Sequence, residues 1–241
     1  MQNQGNTLST KLGITLTGAD ERTDIAALLQ LLADHPTLEI GLLYSATPEG
    51  RPRYPSLDWI HTAARQLAGR CAIHVCGLLA RAQLQAGELH ALVRHARRVQ
   101  VNGDVSREQL PLLAAQVHQL ITQYSPRVTD LSLTGTAGNH QLLVDASGGR
   151  GVGPSQWRRP ATTKAVGFAG GLGPDNLASE LERILPIARG DSWIDMEQAL
   201  RTDDWFDLSR CRRVLAVWET TLADRMHPTE TTRSAIEPAS V

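Results

Sequence analysis

Residues 165–176 read Ala165-Val-Gly-Phe-Ala169-Gly-Gly-Leu-Gly-Pro174-Asp-Asn176, an apolar run broken by a glycine loop that opens onto a helix. A short apolar run bounded by glycines suits a strand buried on both faces, as parallel strands are. Pro174 stands at a position that starts a helix well, because its missing N–H is an orphan there in any case. Glycines let backbone N–H groups approach a ligand, so a phosphate or carboxylate is the natural guest of such a loop.

The same order of strand, loop and helix extends in both directions. Upstream, Gln141-Leu-Leu-Val-Asp145 runs into Gly148-Gly-Arg-Gly151. Leu12–Thr17, Leu38–Tyr44, Cys71–Cys76 and Arg98–Asn102 read as the first four strands, Val128–Leu133 as the fifth and Ser192–Asp195 as the eighth. Helical spacing fills most gaps: Ile25, Leu28, Leu29 and Leu32 share one face, a helix is predicted near Leu57–Leu67, and Leu110, Leu113, Val117, Leu120 and Ile121 predict a long helix within Arg107–Tyr124. The gap from Thr134 to His140 is too short for a parallel crossover helix, which marks the fifth strand as the irregular point of the pattern. Eight short strands alternating with helices predict a single-domain (β/α)8 TIM barrel over residues 10–226. A flexible N-terminus over 1–9 and a disordered tail over 227–241 flank it, both polar and without periodicity. The competing doubly wound open sheet lacks its G-x-G-x-x-G fingerprint after the first strand.

Composition narrows the function class. The chain has 241 residues, enough for a full core without staples. Lys and Arg number 24 against 25 Asp and Glu, so no global charge draws it to nucleic acid or to an anionic membrane. No apolar stretch approaches the roughly 18 residues of a membrane helix, and Met1–Thr10 has no hydrophobic signal region; cytoplasmic residence is the expectation. Cys71, Cys76 and Cys211 show neither metal-ligand spacing nor a disulfide framework. The expected partner is a small molecule, with no nucleic acid, membrane or metal, and the number of subunits is left open.

In a (β/α)8 barrel, chemistry collects where strands end. Asp145 ends an apolar strand beside glycines, where partial desolvation would let it hold a proton near neutrality. Arg53 sits in a proline-stiffened loop and suits a planar carboxylate. Cys76 ends the third strand and is read either as a reactive thiol or as inert packing. His74 shares its parity and belongs to the core or the barrel lumen, and Trp157 is read as packing. Gln100, Asn102, Asp195 and Glu197 complete the strand ends.

These strand-end residues together resemble the phosphoribosylanthranilate isomerase family. Lys11-Leu-Gly-Ile-Thr15 resembles its Lys-Ile-Cys-Gly-Ile/Leu-Thr motif, Pro52-Arg53-Tyr54 its Ser-Pro-Arg-Tyr, and Val99-Gln-Val-Asn-Gly-Asp104 its Val-Gln-Leu-His-Gly-Asp/Glu. Leu143-Val-Asp145 with Gly148–Gly151 and Trp157 resembles the sixth strand and loop, Ala169-Gly-Gly-Leu172 with Pro174 and Asn176 the seventh, and Trp193-Ile-Asp195 the eighth. The resemblance runs in order from Lys11 to Leu215. It implies a (β/α)8 barrel, a cofactor-free Amadori rearrangement of an aminoaldose phosphate in tryptophan biosynthesis, Asp145 as general acid and Arg53 as carboxylate clamp. It also implies that Gly170 and Gly171 form part of a phosphate loop.

Three departures accompany it. Leu12 or Gly13 stands in place of the strand-one cysteine that serves as general base, leaving Cys76 or His74 as candidate replacements. Glu197-Gln198-Ala199 replaces the Ser-Gly phosphate segment, and its carboxylate would repel a phosphate unless Arg150 or Arg201 offsets it. The sixth loop is short between Asp145 and Gly148. The candidate site thus comprises Asp145 and Cys76 as catalytic groups, with Arg53, Gln100, Asn102, Gly148, Gly149, Arg150, Gly170, Gly171, Asp195 and Glu197 around the substrate. Three functions fit it: an isomerase of a phosphorylated sugar-amine, an enzyme of altered substrate that pairs Asp145 with Glu197 on a non-phosphorylated carboxylate ligand, or a non-catalytic anion-binding barrel.

Overall fold

The computed structural model describes residues 12–48, 50–124, 131–145 and 151–226. Eight parallel strands close in sequence order into a barrel: β1 (Gly13–Thr17), β2 (Leu38–Ser45), β3 (Cys71–Cys76), β4 (Arg98–Val101), β5 (Leu120–Tyr124), β6 (His140–Asp145), β7 (Val166–Ala169) and β8 (Trp193–Met196). Closure is made by β1 pairing with β8, Ile14 against Ile194 and Thr15 against Asp195. Helices α1 (Ile25–Asp34), α2 (Leu57–Gln66), α3 (Leu78–Gln85), α4 (His90–Val93), α5 (Gln109–Ala114), α6 (Leu177–Ile184) and α7 (Leu208–Met226) lie between and after the strands. The architecture is the (β/α)8 barrel that the alternation predicts.

The middle of the chain differs from its prediction. The long helix stops at Ala114, and Leu120–Tyr124, read as its last turns, is β5, paired with both β4 and β6. Of the predicted fifth strand, Leu131–Leu133 belongs to a 3-10 turn, Leu131–Gly135, while 128–130 lie outside the described residues. The strand had been placed one element too late, so the connection that seemed too short is instead the tail of a longer β5–β6 crossover. On α1 the buried residues are Leu28, Leu31 and Leu32, whereas Leu29 is exposed. The predicted segments 1–9 and 227–241 lie outside the described residues.

The outer core is the layer between strands and helices, where Leu16, Ile40, Leu42, Ile73, Val99, Phe168 and Ile194 meet the buried faces of the helices. Trp157 packs edge-on against Phe168, 6.0 Å between ring centres. The lumen is filled differently. At one level the Arg98 guanidinium donates to Glu39 Oε2 (Nε, 2.8 Å) and to Thr15 Oγ1 (2.9 Å) and lies 4.2 Å over the Trp193 ring. Gly167 makes room for that indole: a Cβ there would fall 2.2 Å from Trp193 Cε2. Gly41 does the same for Thr17, whose Oγ1 would lie 2.2 Å from an added Cβ. Pairing and stacking make a buried charge tolerable, and these groups plug one end of the lumen. The cavity at the other end is left to chemistry.

Candidate active site

The carboxyl ends of the strands enclose a cavity of about 390 Å³. Every described residue of the predicted set lines it: Asp145, Cys76, Arg53, Gln100, Asn102, Gly170, Gly171, Asp195 and Glu197. Gly148, Gly149 and Arg150 lie outside the described residues. His74, Thr17, Tyr54 and Gln123 join the lining.

Thr17 corrects the reading of the first strand. Leu12 and Gly13 lie at the far end of β1, whereas Thr17 ends the strand in the cavity. Leu16-Thr17-Gly18 is therefore the stretch comparable to Ile-Cys-Gly, with a hydroxyl in the position of the motif's thiol. That match was available in the sequence. It was hidden because Lys11 matches the motif's lysine four residues out of step and Gly13 its glycine five out of step.

Asp195 is the centre of the site. It comes from β8, is buried, and accepts a hydrogen bond from Thr17 Oγ1 (2.8 Å). Its Oδ2 lies 3.6 Å from His74 Nε2. Burial pushes its carboxyl up to about 8, with the Glu39 and Glu197 charges adding to the rise, while the Thr17 hydrogen bond and the Arg98 charge pull the other way. His74 offers no compensating cation, because burial and the Arg98 charge push it down to about 3. A neutral imidazole beside a carboxyl that titrates near 8 leaves the proton of this pair on Asp195 at neutral pH. His74 Nε2 and Gln100 Oε1, on two residues that line the cavity, are buried with no hydrogen-bond partner among the described residues.

Cys76 sits above this pair. Asn102 Nδ2 donates to its sulfur at 3.3 Å, and Gln100 Nε2 donates to Asn102 Oδ1 at 2.8 Å. Burial, with the Glu197 charge, pushes its thiol up to about 12. At neutral pH it keeps its proton, so Cys76 is placed in the cavity but is not poised as a base or a nucleophile. Asp145 ends β6 and accepts from Gln123 Nε2 at 3.3 Å. In register Asp145 pairs with Ala169 of β7, and Ala169 in turn with Asp195 of β8, so the two acids stand two strands apart on the same rim.

Arg53 meets a carboxylate, but the protein's own. Its Nη2 lies 2.5 Å from Glu197 Oε1, and Arg201 Nε approaches the same oxygen at 3.7 Å. Burial raises the Glu197 carboxyl, and the two guanidinium groups oppose that rise. The charge expected to repel an anion is therefore paired, with Arg201 as one partner. The sequence pointed to Arg201 but not to this use of Arg53. Among the described residues no group of three or more His, Cys, Asp and Glu is placed to hold a metal ion.

No protein-family model matches the chain, and no curated protein matches it in sequence. Solved structures do match in shape. TrpF from Jonesia denitrificans superposes with a TM-score of 0.63 at 19% identity, covering 87% of this chain and 98% of that one. Phosphoribosyl anthranilate isomerase from Thermus thermophilus gives 0.61 at 16%, covering 87% and 99%. An L-ribulose 3-epimerase gives 0.50 at 13%, covering 94% and 100%. At these identities the likeness shows the barrel fold, and a barrel hosts many reactions.

Proposed function

We propose that this chain is an acid–base isomerase that converts an aldose-type sugar or sugar-amine to its ketose form, with Asp195 as general base and Asp145 as general acid. One observation carries the reading: the Asp195 carboxyl lies buried inside the cavity, 2.8 Å from the Thr17 hydroxyl, where burial pushes it up to about 8. A base is most effective when its pKa lies near the working pH. Thr17 ends the first strand in the cavity, where the realigned motif has its cysteine, and an alcohol does not accept a proton from carbon at neutral pH. The neighbouring carboxyl can, once ionised.

In this reaction Asp145 gives its proton to the ring oxygen as the bond from C1 to that oxygen breaks, leaving a C1=N iminium in a sugar-amine. Asp195 takes the C2 proton, the C2–H electron pair becomes the C1=C2 bond, and the iminium electrons return to nitrogen. The resulting enol-amine becomes the ketose when C1 regains a proton and the C2 hydroxyl loses one. The role of Asp145 rests on the motif resemblance and on its place at the β6 rim; that of Asp195 rests on its environment.

The test is solvent-deuterium incorporation at C1. Purified protein in deuterated buffer is given a panel of aldoses and N-aryl aldosylamines, with and without phosphate, phosphoribosylanthranilate among them. Deuterated ketose product from at least one substrate, lost in Asp195→Asn, supports the reading. Folded protein that labels none of the panel, or an Asp195→Asn variant as active as the parent, defeats it.

A further inference from the structure

Glu197 occupies an anion clamp. Its Oε1 lies between Arg53 from the β2–α2 loop and Arg201, four residues further along its own segment. Arg201 is firmly held: Nη2 donates to Gly18 O at 2.9 Å, Nη1 donates to Asp204 O at 2.8 Å, and Asp20 Oδ2 lies 3.5 Å away. Among the described residues, two guanidiniums thus face two carboxylates, Glu197 and Asp20, in this corner.

The neighbouring glycine loop is crowded by the chain on its Cβ side, while Gly170 and Gly171 line the cavity. A Cβ on Gly171 would fall 2.4 Å from Gly153 N, one on Gly151 would fall 2.0 Å from Gln198 Oε1, and one on Gly173 would fall 2.4 Å from Ala199 Cβ. The segments around Gly151–Gly153 and Gln198–Ala199 therefore pack directly onto the loop expected to hold a phosphate. The Gly173 N–H is also used, donating to Asn176 Oδ1 at 2.9 Å.

We infer that the ligand end lodged between the β7 and β8 loops is uncharged and hydroxylated, not phosphorylated, because Glu197 already fills the anion clamp of Arg53 and Arg201. The sugar class of this ligand rests on the function proposed above; the exclusion of a phosphate rests on the clamp alone. A carboxylate in this corner accepts hydrogen bonds from sugar hydroxyls and opposes a dianion.

The experiment titrates inorganic phosphate into the full-length protein and into Glu197→Gln and Glu197→Ser, followed by calorimetry, with near-ultraviolet circular dichroism reporting folding. The parent is expected to show no saturable binding. Removing a unit charge about 5 Å from the ligand, at an effective dielectric near 20, strengthens binding by at least about 10²-fold. That gain should disappear when Arg53→Ala is added. Saturable binding by the parent overturns the inference without reference to any variant, as does the absence of a gain in folded variants. Turnover separates the two proposals. Efficient isomerisation of a phosphorylated sugar would overturn this inference and leave the isomerase standing. A clamp that behaves as expected in a protein that labels no sugar would do the reverse.

Discussion

Asp195→Asn should change how stability depends on pH. The fold favours the proton-bound form of Asp195, whose carboxyl titrates near 8 in the folded chain and near 3.9 when unfolded. Its contribution is therefore fully present below about pH 4 and is lost as pH rises through about 8. His74 and His140 act in the opposite sense. Burial pushes them to about 3 and about 4, so their neutral forms favour the fold and stability rises with pH up to about 6.5, the unfolded histidine value. Above 6.5 the Asp195 slope stands without these two. At about 1.4 kcal/mol per pH unit, the parent loses about 2 kcal/mol between pH 6.5 and 8.0 through this one group. For a chain of this size that is a fall in Tm of about 3–8 °C. Asparagine keeps an acceptor for Thr17 but cannot ionise, so the variant should lack that part of the fall. Urea unfolding and thermal melts of both proteins at the two pH values make the comparison, and other titrating groups cancel in the difference. Equal slopes would refute the argument, because the carboxyl would then already be ionised at pH 6.5.

Three further outcomes follow from the same geometry. The pH profile of the proposed isomerisation should have a limb with an apparent pKa near 8, and Asp195→Asn should remove that limb and cost about 10²–10⁴-fold in kcat; steady-state assays from pH 6 to 9 would measure both. Gly167→Ala would push a methyl group into the Trp193 indole and should destabilise the chain by about 1–3 kcal/mol in urea unfolding. Arg98→Met leaves Glu39 buried without its cation and should cost about 3–5 kcal/mol by the same method. Each of these is wrong if the variant or profile matches the unperturbed parent.

Most of the barrel could be read because parallel strands buried on both faces are short apolar runs, and seven of them fell between clear helix or loop signals. β5 could not. Leu120 and Ile121 are both buried, one in the outer core and one in the lumen beside Leu143 and Trp193. Together with Val117 they continue the helical spacing of Leu110 and Leu113, and a doubly buried strand has no alternation to break that pattern. Strand ends lead to a single cavity because β/α loops gather at one face of a barrel. What the ends could not convey was environment. Asp145 reads as the perturbed acid, yet among the described residues the carboxyl most displaced is Asp195, on the same rim beside a histidine kept neutral by burial and the Arg98 charge. That shift, like the one that burial and the Arg98 charge impose on His74, depends on groups brought together from five strands, and not on depth alone, since Asp145 on the same rim is as buried; no local motif encodes it. Likewise Arg53, Glu197 and Arg201 each stood out separately, but only the closed barrel turns a suspected repulsion into a paired corner.

The central claim is that the cavity holds a carboxyl whose proton is exchanged near working pH, and carbon-13 NMR of the aspartate side chains tests it most directly. Spectra of the parent and Asp195→Asn are recorded from pH 4 to 9, and the resonance missing from the variant is followed. The account predicts a single carboxyl titrating near 8, well above every exposed aspartate. Titration of that resonance near 4 would contradict it, and with it the assignment of Asp195 as the base.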